Sequence, residues 1–81
     1  MKNRTVYIVK AIWDDEAKVW CAEGINLPGL ATYGENLDVL MKKLDVMIPE
    51  LLEANQELEN GYDVPFELLV ERSLIAQRNY A

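Results

Sequence analysis

The chain has no histidine and only one cysteine, Cys21. An internal disulfide is therefore impossible, and chemistry that depends on an imidazole is excluded. Long apolar runs are also missing, since no stretch approaches the length of a membrane span. Residues 1–4 lead directly into a strand-like pattern without the apolar core of a signal peptide. We therefore expect a cytoplasmic location.

Positive charge is scarce. Eight Lys and Arg residues face fourteen Asp and Glu residues, so the net charge is −6. Every charged residue from Glu50 to Glu71 is a carboxylate. An excess of carboxylates repels nucleic-acid phosphates and attracts basic proteins. The expected partner is therefore a basic protein, and neither direct nucleic-acid binding nor a membrane partner is expected.

The length and composition predict one folded domain over residues 1–81. The chain is 51% hydrophobic and 27% charged, as is typical of globular proteins. A chain of 81 residues is near the lower limit for one hydrophobic core. Because burial in a complex stabilises such a small domain, a protein partner or a homo-oligomer is expected.

The first 33 residues predict three strands. Residues 5–13 alternate in the strand manner with apolar residues on both faces, which indicates a central strand. A five-residue polar loop at 14–18 and a second run at 19–23 predict an antiparallel hairpin. Pro28 and Gly29 suit a type II turn before a short third strand at 30–33.

The rest of the chain predicts one long helix and a last strand. Apolar residues recur at helical spacing over 37–59, after Asn36 as the N-cap, and Pro49 predicts a kink. The segment 66–72 alternates as a strand, with a helix as the alternative, and a helical or frayed tail would follow. The predicted fold class is α+β, an antiparallel sheet with one amphipathic helix packed on one face in the order β-β-β-α-β.

No catalytic residues are predicted. Asp14, Asp15 and Glu16 could be imagined as a magnesium site, but three acids at a hairpin tip are more typical of a solvated turn. Cys21 is expected to be a small buried hydrophobe. We therefore expect no enzyme activity, no metal and no cofactor.

The order of these motifs resembles the HicB-like antitoxin domain. The resemblance is carried by the strand at 5–13, Trp20-Cys21-Ala22-Glu23, Leu27-Pro28-Gly29-Leu30, and Gly34-Glu35-Asn36-Leu37 at the start of the helix. It implies a partial ribonuclease H-like fold that self-associates and neutralises a small basic RNA-cleaving toxin of the HicA type. Because the chain stops at Ala81, the short form without a DNA-binding region is expected.

The partner surface is predicted from residue type. One helix cannot cover both faces of a four-stranded sheet, and Trp and Tyr are common interface anchors. Acidic residues on the helix could steer a basic partner, although a solvated helix face explains them as well. The alternative function is an orphan homo-oligomeric structural or small-ligand-binding domain, as a homo-dimer or homo-tetramer. The predicted partner-binding residues are Trp13, Trp20, Leu27, Pro28, Leu30, Tyr33, Glu50, Glu53 and Glu57.

Overall fold

A computed structural model describes residues 5–55 and 63–78. It contains four strands and one helix, which confirms the α+β class and the predicted order of elements. Residues 72–78 form neither a helix nor a strand. The elements are β1 (Tyr7–Asp14), β2 (Val19–Gly24), β3 (Ala31–Gly34), α1 (Leu37–Ala54) and β4 (Phe66–Glu71).

The sheet is mixed and has the strand order β3-β2-β1-β4. β1 is central, as its two apolar faces predicted. β1, β2 and β3 pair antiparallel, whereas β4 pairs parallel with β1. The expectation of an antiparallel sheet therefore holds for three strands only. β3 runs in the same direction as β1, and because α1 carries the chain back across the sheet, β4 begins at the same end as both.

The turn between β1 and β2 is built around Asp14. Its carbonyl accepts a 2.8 Å hydrogen bond from the amide of Lys18, and its carboxylate accepts 3.1 Å bonds from the amides of Glu16 and Ala17. Lys18 has a positive φ of 58°. An Asp that accepts from amides two and three residues ahead stabilises a tight turn without glycine. The connection has four residues, one fewer than predicted.

The turn at Pro28 and Gly29 has the predicted type II geometry. The amide of Leu30 donates to the carbonyl of Leu27 over 3.3 Å, and Gly29 has a φ of 90°. Position i+2 of a type II turn requires such a positive φ. The turn places Leu27 and Leu30, both almost fully buried, against the core.

Asn26 fastens this connection to the start of β1. Its Oδ1 accepts a 2.7 Å hydrogen bond from the amide of Ile8, and its Nδ2 donates to the carbonyl of Val6 over 3.1 Å. A side-chain amide that both donates and accepts reproduces the pairing that a neighbouring strand would provide. The beginning of β1 is thus held from the β2–β3 connection.

The helix packs on one face of the sheet. Asn36 caps it as predicted, with its Oδ1 accepting a 2.8 Å hydrogen bond from the amide of Val39. α1 contains Pro49 and ends at Ala54, so the predicted continuation over 56–59 lies outside the described residues. Burying each leucine side chain of the core stabilises the folded state by about 1.5–3 kcal/mol. The core residues are Leu40, Leu44, Ile48 and Leu52 of the helix with Val9, Ala11, Trp20, Ala22, Leu27 and Leu30.

Gly34 brings β3 into close contact with the helix. A Cβ placed on Gly34 would lie 2.9 Å from the amide nitrogen of Leu40 and 3.1 Å from its Cα. These atoms belong to the first turns of α1, so no flexible side chain could move aside. Glycine is required here because the helix backbone occupies the space that a side chain would fill.

Candidate functional site

The face of the sheet opposite α1 is the candidate site, and we call it the uncovered face. Ile12, Cys21 and Tyr33 are paired in register across β1, β2 and β3. Side chains alternate between the two faces of a strand, so all three point away from the core side occupied by Ala11, Trp20 and Ala22. The uncovered face comprises Ile8, Lys10, Ile12, Cys21, Glu23, Ala31, Tyr33, Glu67, Leu69 and Glu71.

A shallow depression of about 810 Å³ lies on this face over β1, β2 and β3. Its floor is apolar, because Ile12 and Tyr33 expose 44% and 60% of their surface and Cys21 is also exposed. Exposed apolar side chains in one concavity are typical of binding surfaces. The depression is lined by Lys10, Ile12, Trp13, Asp14, Asp15, Glu16, Cys21, Ala22, Glu23, Ala31, Thr32 and Tyr33.

The rim of the depression is acidic. Four carboxylates, of Asp14, Asp15, Glu16 and Glu23, line it together with one ammonium group, that of Lys10. The Lys10 ammonium lies 3.1 Å from the carboxylate of Glu71 on β4, so part of its charge is balanced from outside the depression. Two further ammonium groups lie close by, that of Lys18 at 3.0 Å from Asp15 and that of Lys43 at 4.6 Å from the Tyr33 ring centre. The carboxylates still outnumber the ammonium groups, so the net field at the rim is weakly negative and attracts cationic groups.

Two rim residues also shape the hairpin tip. A 3.0 Å hydrogen bond from the Lys18 ammonium, supported by one from the Trp13 indole, lowers the pKa of the Asp15 carboxyl. The Asp14 carboxylate accepts the turn amides described above. These carboxylates are thus oriented by the turn. Glu16 is exposed in the same turn, whereas Glu23 is exposed further along β2, opposite Lys10.

An aromatic pair closes the core at one end of the sheet. The rings of Trp13 and Trp20 meet edge to face, with centroids 5.4 Å apart and an interplanar angle of 63°. The guanidinium of Arg72 lies 4.4 Å from the centre of the Trp13 ring. Trp13 is half-buried and Trp20 is buried, so this pair contributes mainly to packing.

The chain matches the model of the domain of unknown function DUF1902 over residues 6–80. It belongs to this family. The chain is also similar to the hypothetical protein TTHA1013 from the extremely thermophilic bacterium Thermus thermophilus, whose crystal structure is known. The two sequences are 42% identical. The similarity covers 91% of this chain and 100% of that one, with a TM-score of 0.66. No curated protein matches the chain.

This DUF1902 domain does not bring the predicted partner-binding residues together. Trp20, Leu27 and Leu30 are at most 8% exposed and belong to the core, because α1 covers the face on which they lie. Tyr33 is on the uncovered face, and Pro28 is exposed in its turn. Trp13 is half-buried at the end of β1. The aromatic patch predicted from residue type is therefore divided between the core and the surface.

The predicted acidic steering group is separate from the uncovered face. Glu50 and Glu53 are exposed on α1, which packs on the opposite side of the sheet, and Glu57 lies outside the described residues. The carboxylates beside the depression belong instead to the hairpin tip and β2. In this DUF1902 domain a partner in the depression would meet the carboxylates of its rim, among them Glu16 and Glu23, rather than Glu50 and Glu53.

Cys21 is exposed on the uncovered face, so the prediction that it is buried was wrong. Strict alternation in β2 directs Trp20 and Ala22 into the core and therefore Cys21 and Glu23 outward. This alternation was visible in the sequence and could have identified both residues. The large side chain of Trp20 suggested an interface anchor rather than a core residue. The alternation in β2, and with it the outward direction of Cys21, was therefore missed.

Within the described ranges, no group of three or more Cys, Asp or Glu side chains could hold a metal ion. Asp14 and Asp15, considered as magnesium ligands, make turn and lysine contacts instead. Over residues 5–55 and 63–78, no helix is both long and apolar enough to cross a membrane.

Proposed function

We propose that the chain is a HicB-like antitoxin-type binding module whose uncovered face holds a small basic RNA-cleaving protein of the HicA type. The module would act by occupying its partner and would not itself catalyse a reaction. The observation that carries the proposal is the depression with an apolar floor and an acidic rim. The order β-β-β-α-β, which the HicB-like resemblance implies, supports it further.

The floor supplies the contacts that would hold the partner. Ile12 and Tyr33 have 44% and 60% of their surface exposed in the isolated chain. Tyr33 is also oriented, because Lys43 donates a 2.6 Å hydrogen bond to its carbonyl and lies 4.6 Å from its ring centre. An aromatic side chain held in place loses little conformational entropy on binding, which is what an interface anchor requires.

The rim supplies long-range attraction. The four rim carboxylates would concentrate a basic partner near the face and accelerate encounter, mainly through the association rate. An RNA-cleaving protein needs positive charge near its active surface to bind phosphates. A partner that presents this surface to the uncovered face would therefore lose access to RNA.

A matched pair of charge reversals tests which carboxylates attract the basic partner, those of the rim or those of α1. The double variant Glu16→Lys with Glu23→Lys changes the rim, and Glu50→Lys with Glu53→Lys changes the net charge by the same amount on α1. With a purified HicA-type toxin from the same organism, the rim variant should associate about tenfold more slowly or worse at low salt. The helix variant should change the rate much less, and stopped-flow fluorescence measures both.

A second matched pair tests where the partner is held. Ile12→Asp places a charge on the floor, whereas Val46→Asp makes the same kind of change at a helix position that is 56% exposed. The floor variant should weaken binding about 30-fold or more, as for a hot-spot residue, and release the inhibition of RNA cleavage. Circular dichroism must show that both variants remain folded.

Cys21 gives a direct readout of the same surface. Because it is exposed on the floor, it should react with a maleimide in the free chain and be protected in the complex. Equal alkylation rates with and without bound toxin would place the partner elsewhere on the molecule. A toxin that neither binds the wild-type chain nor stops cleaving RNA in its presence would refute the proposal altogether.

A further inference from the structure

The C-terminal part of the described chain leaves four large apolar side chains exposed. Leu69 and Val70 of β4 are 50% and 48% exposed, and Leu74 and Ile75 in the segment 72–78 are 76% and 91% exposed. β4 is an edge strand, since it is last in the strand order and is hydrogen-bonded to β1. An apolar edge strand is a template for pairing with a further strand.

The sequence around this edge has a two-fold pattern. Leu69-Val70 precedes and Leu74-Ile75 follows the central run Glu71-Arg72-Ser73, so the apolar pairs are equally far from Arg72. In a symmetric antiparallel pair of strands, each residue lies opposite the one at equal distance on the other side of the axis. An axis at Arg72 therefore pairs Val70 with Leu74, and Leu69 with Ile75, across two chains.

We propose that β4 and the segment 72–78 pair antiparallel with the same region of a second copy, about a two-fold axis at Arg72. The two four-stranded sheets then join into one. Alternation places Val70 and Leu74 on the helix side and Leu69 and Ile75 on the uncovered side, so each face gains two apolar pairs. A second copy is the occupant because the pattern is self-complementary, and only an isologous contact requires that property.

The charged residues of β4 and the segment 72–78 are compatible with an axis at Arg72. Glu71 lies opposite Ser73 and Glu67 opposite Gln77, so no carboxylate faces another. A register centred on Leu69 would instead oppose Glu67 and Glu71, and like charges directly opposite are destabilising. The two Arg72 residues meet at the axis, but each guanidinium is held over the Trp13 ring of its own chain, 4.4 Å from the ring centre.

This inference is independent of the proposed function. The depression lies over β1, β2 and β3, whereas the pairing uses β4 on the other side of β1. A chain could therefore bind a basic partner without forming dimers, or form dimers without binding that partner. The two sets of experiments fail separately.

A matched pair of aspartate substitutions tests the surface. Ile75→Asp places a charge in the pairing segment, and Ile25→Asp makes the identical change at a position that is 56% exposed in the β2–β3 connection. Multi-angle light scattering should give twice the chain mass for the wild type and for Ile25→Asp at micromolar concentration. Ile75→Asp should give the mass of one chain. Both positions are exposed, so both variants should keep the wild-type circular dichroism.

Cross-linking tests the register. In a Cys21→Ser background, the double variant Leu69→Cys with Ile75→Cys should form disulfide-linked dimers on mild oxidation, because positions 69 and 75 lie opposite each other between copies. Within one chain these two positions are about 20 Å apart along a strand, too far for a disulfide. The control variant Leu69→Cys with Leu74→Cys places its two thiols on opposite faces and should give little disulfide-linked dimer.

Three outcomes would overturn the inference. The first is a wild-type chain that stays monomeric up to hundreds of micromolar. The second is a dimer that Ile75→Asp leaves intact or that Ile25→Asp dissociates. The third is a disulfide-linked dimer that forms as readily from positions 69 and 74 as from 69 and 75.

Discussion

Replacing Gly34 with alanine should destabilise the domain by forcing the helix away from the sheet. The added Cβ would lie 2.9 Å from the amide nitrogen of Leu40, 3.1 Å from its Cα and 3.2 Å from its Cβ. Comfortable contacts between such atoms are about 3.5–4.0 Å. The first turns of α1 would therefore have to move, and with them the capped end of the helix.

The expected loss follows from two opposing effects. Overpacking a tight contact costs roughly 1–3 kcal/mol. Alanine also restricts the unfolded chain, which offsets about 0.4–1 kcal/mol where the backbone tolerates it. The net loss is then about 1–2 kcal/mol, against a total stability of roughly 4–12 kcal/mol for a chain of this length. In a domain of this size that corresponds to a fall in melting temperature of roughly 4–16 °C.

Thermal and urea unfolding followed by circular dichroism measure the effect, with Gly29 as the control. Gly29 has a φ of 90°, and an added Cβ would meet only the Cδ1 of Leu51 at 3.7 Å. Alanine there strains the backbone rather than the packing, so Gly29→Asn should recover part of the loss because asparagine tolerates positive φ. Gly34→Asn should be worse than Gly34→Ala. A Gly34→Ala variant that unfolds at or above the wild-type temperature would refute the packing argument.

Three further predictions concern local hydrogen bonds. Asn36→Ala removes the helix cap and should lower the free energy of unfolding by about 1 kcal/mol, with Asn36→Ser restoring most of it in urea titrations. Asn26→Ala removes two exposed hydrogen bonds to the backbone at the start of β1, which water can replace, so it should cost about 0.5–1.5 kcal/mol, and faster hydrogen exchange at the start of β1 would verify the cause. Lys18→Ala should raise the pKa of Asp15 toward its ordinary value of 3.8, as followed by NMR titration. An unchanged pKa of Asp15 in Lys18→Ala would contradict the assigned cause. Since the folded-state pKa is lowered, the stabilisation from this carboxylate is present above pH 3.8 and is lost as the pH falls through the lowered pKa.

Local signals predicted the elements well. Alternation defined β1, the Pro28-Gly29 pair defined its turn, and Asn36 marked the helix start to the residue. Each of these signals acts through neighbours in the sequence. The parallel pairing of β4 could not be read in the same way, because it depends on where α1 returns the chain after crossing the sheet.

The candidate site was predicted less well, for a related reason. An uncovered sheet face was inferred correctly from the presence of one helix. The choice of residues failed for Trp20, Leu27 and Leu30 because residue type does not say which face α1 covers. Only the register between strands places Ile12, Cys21 and Tyr33 side by side. A site made of three strands is a property of pairing rather than of any one segment.

The parallel contact between β1 and β4 also sets the order in which the molecule can be completed. β4 follows every other element in the chain, yet it pairs with the first strand. During synthesis the hairpin, the third strand and the helix can assemble while one side of β1 still presents its unpaired backbone to the surroundings. Closing that side requires joining two distant parts of the chain, which is the slow kind of step in folding. A chain that ends before residue 66 would keep that edge of β1 unpaired and would be prone to association with its neighbours.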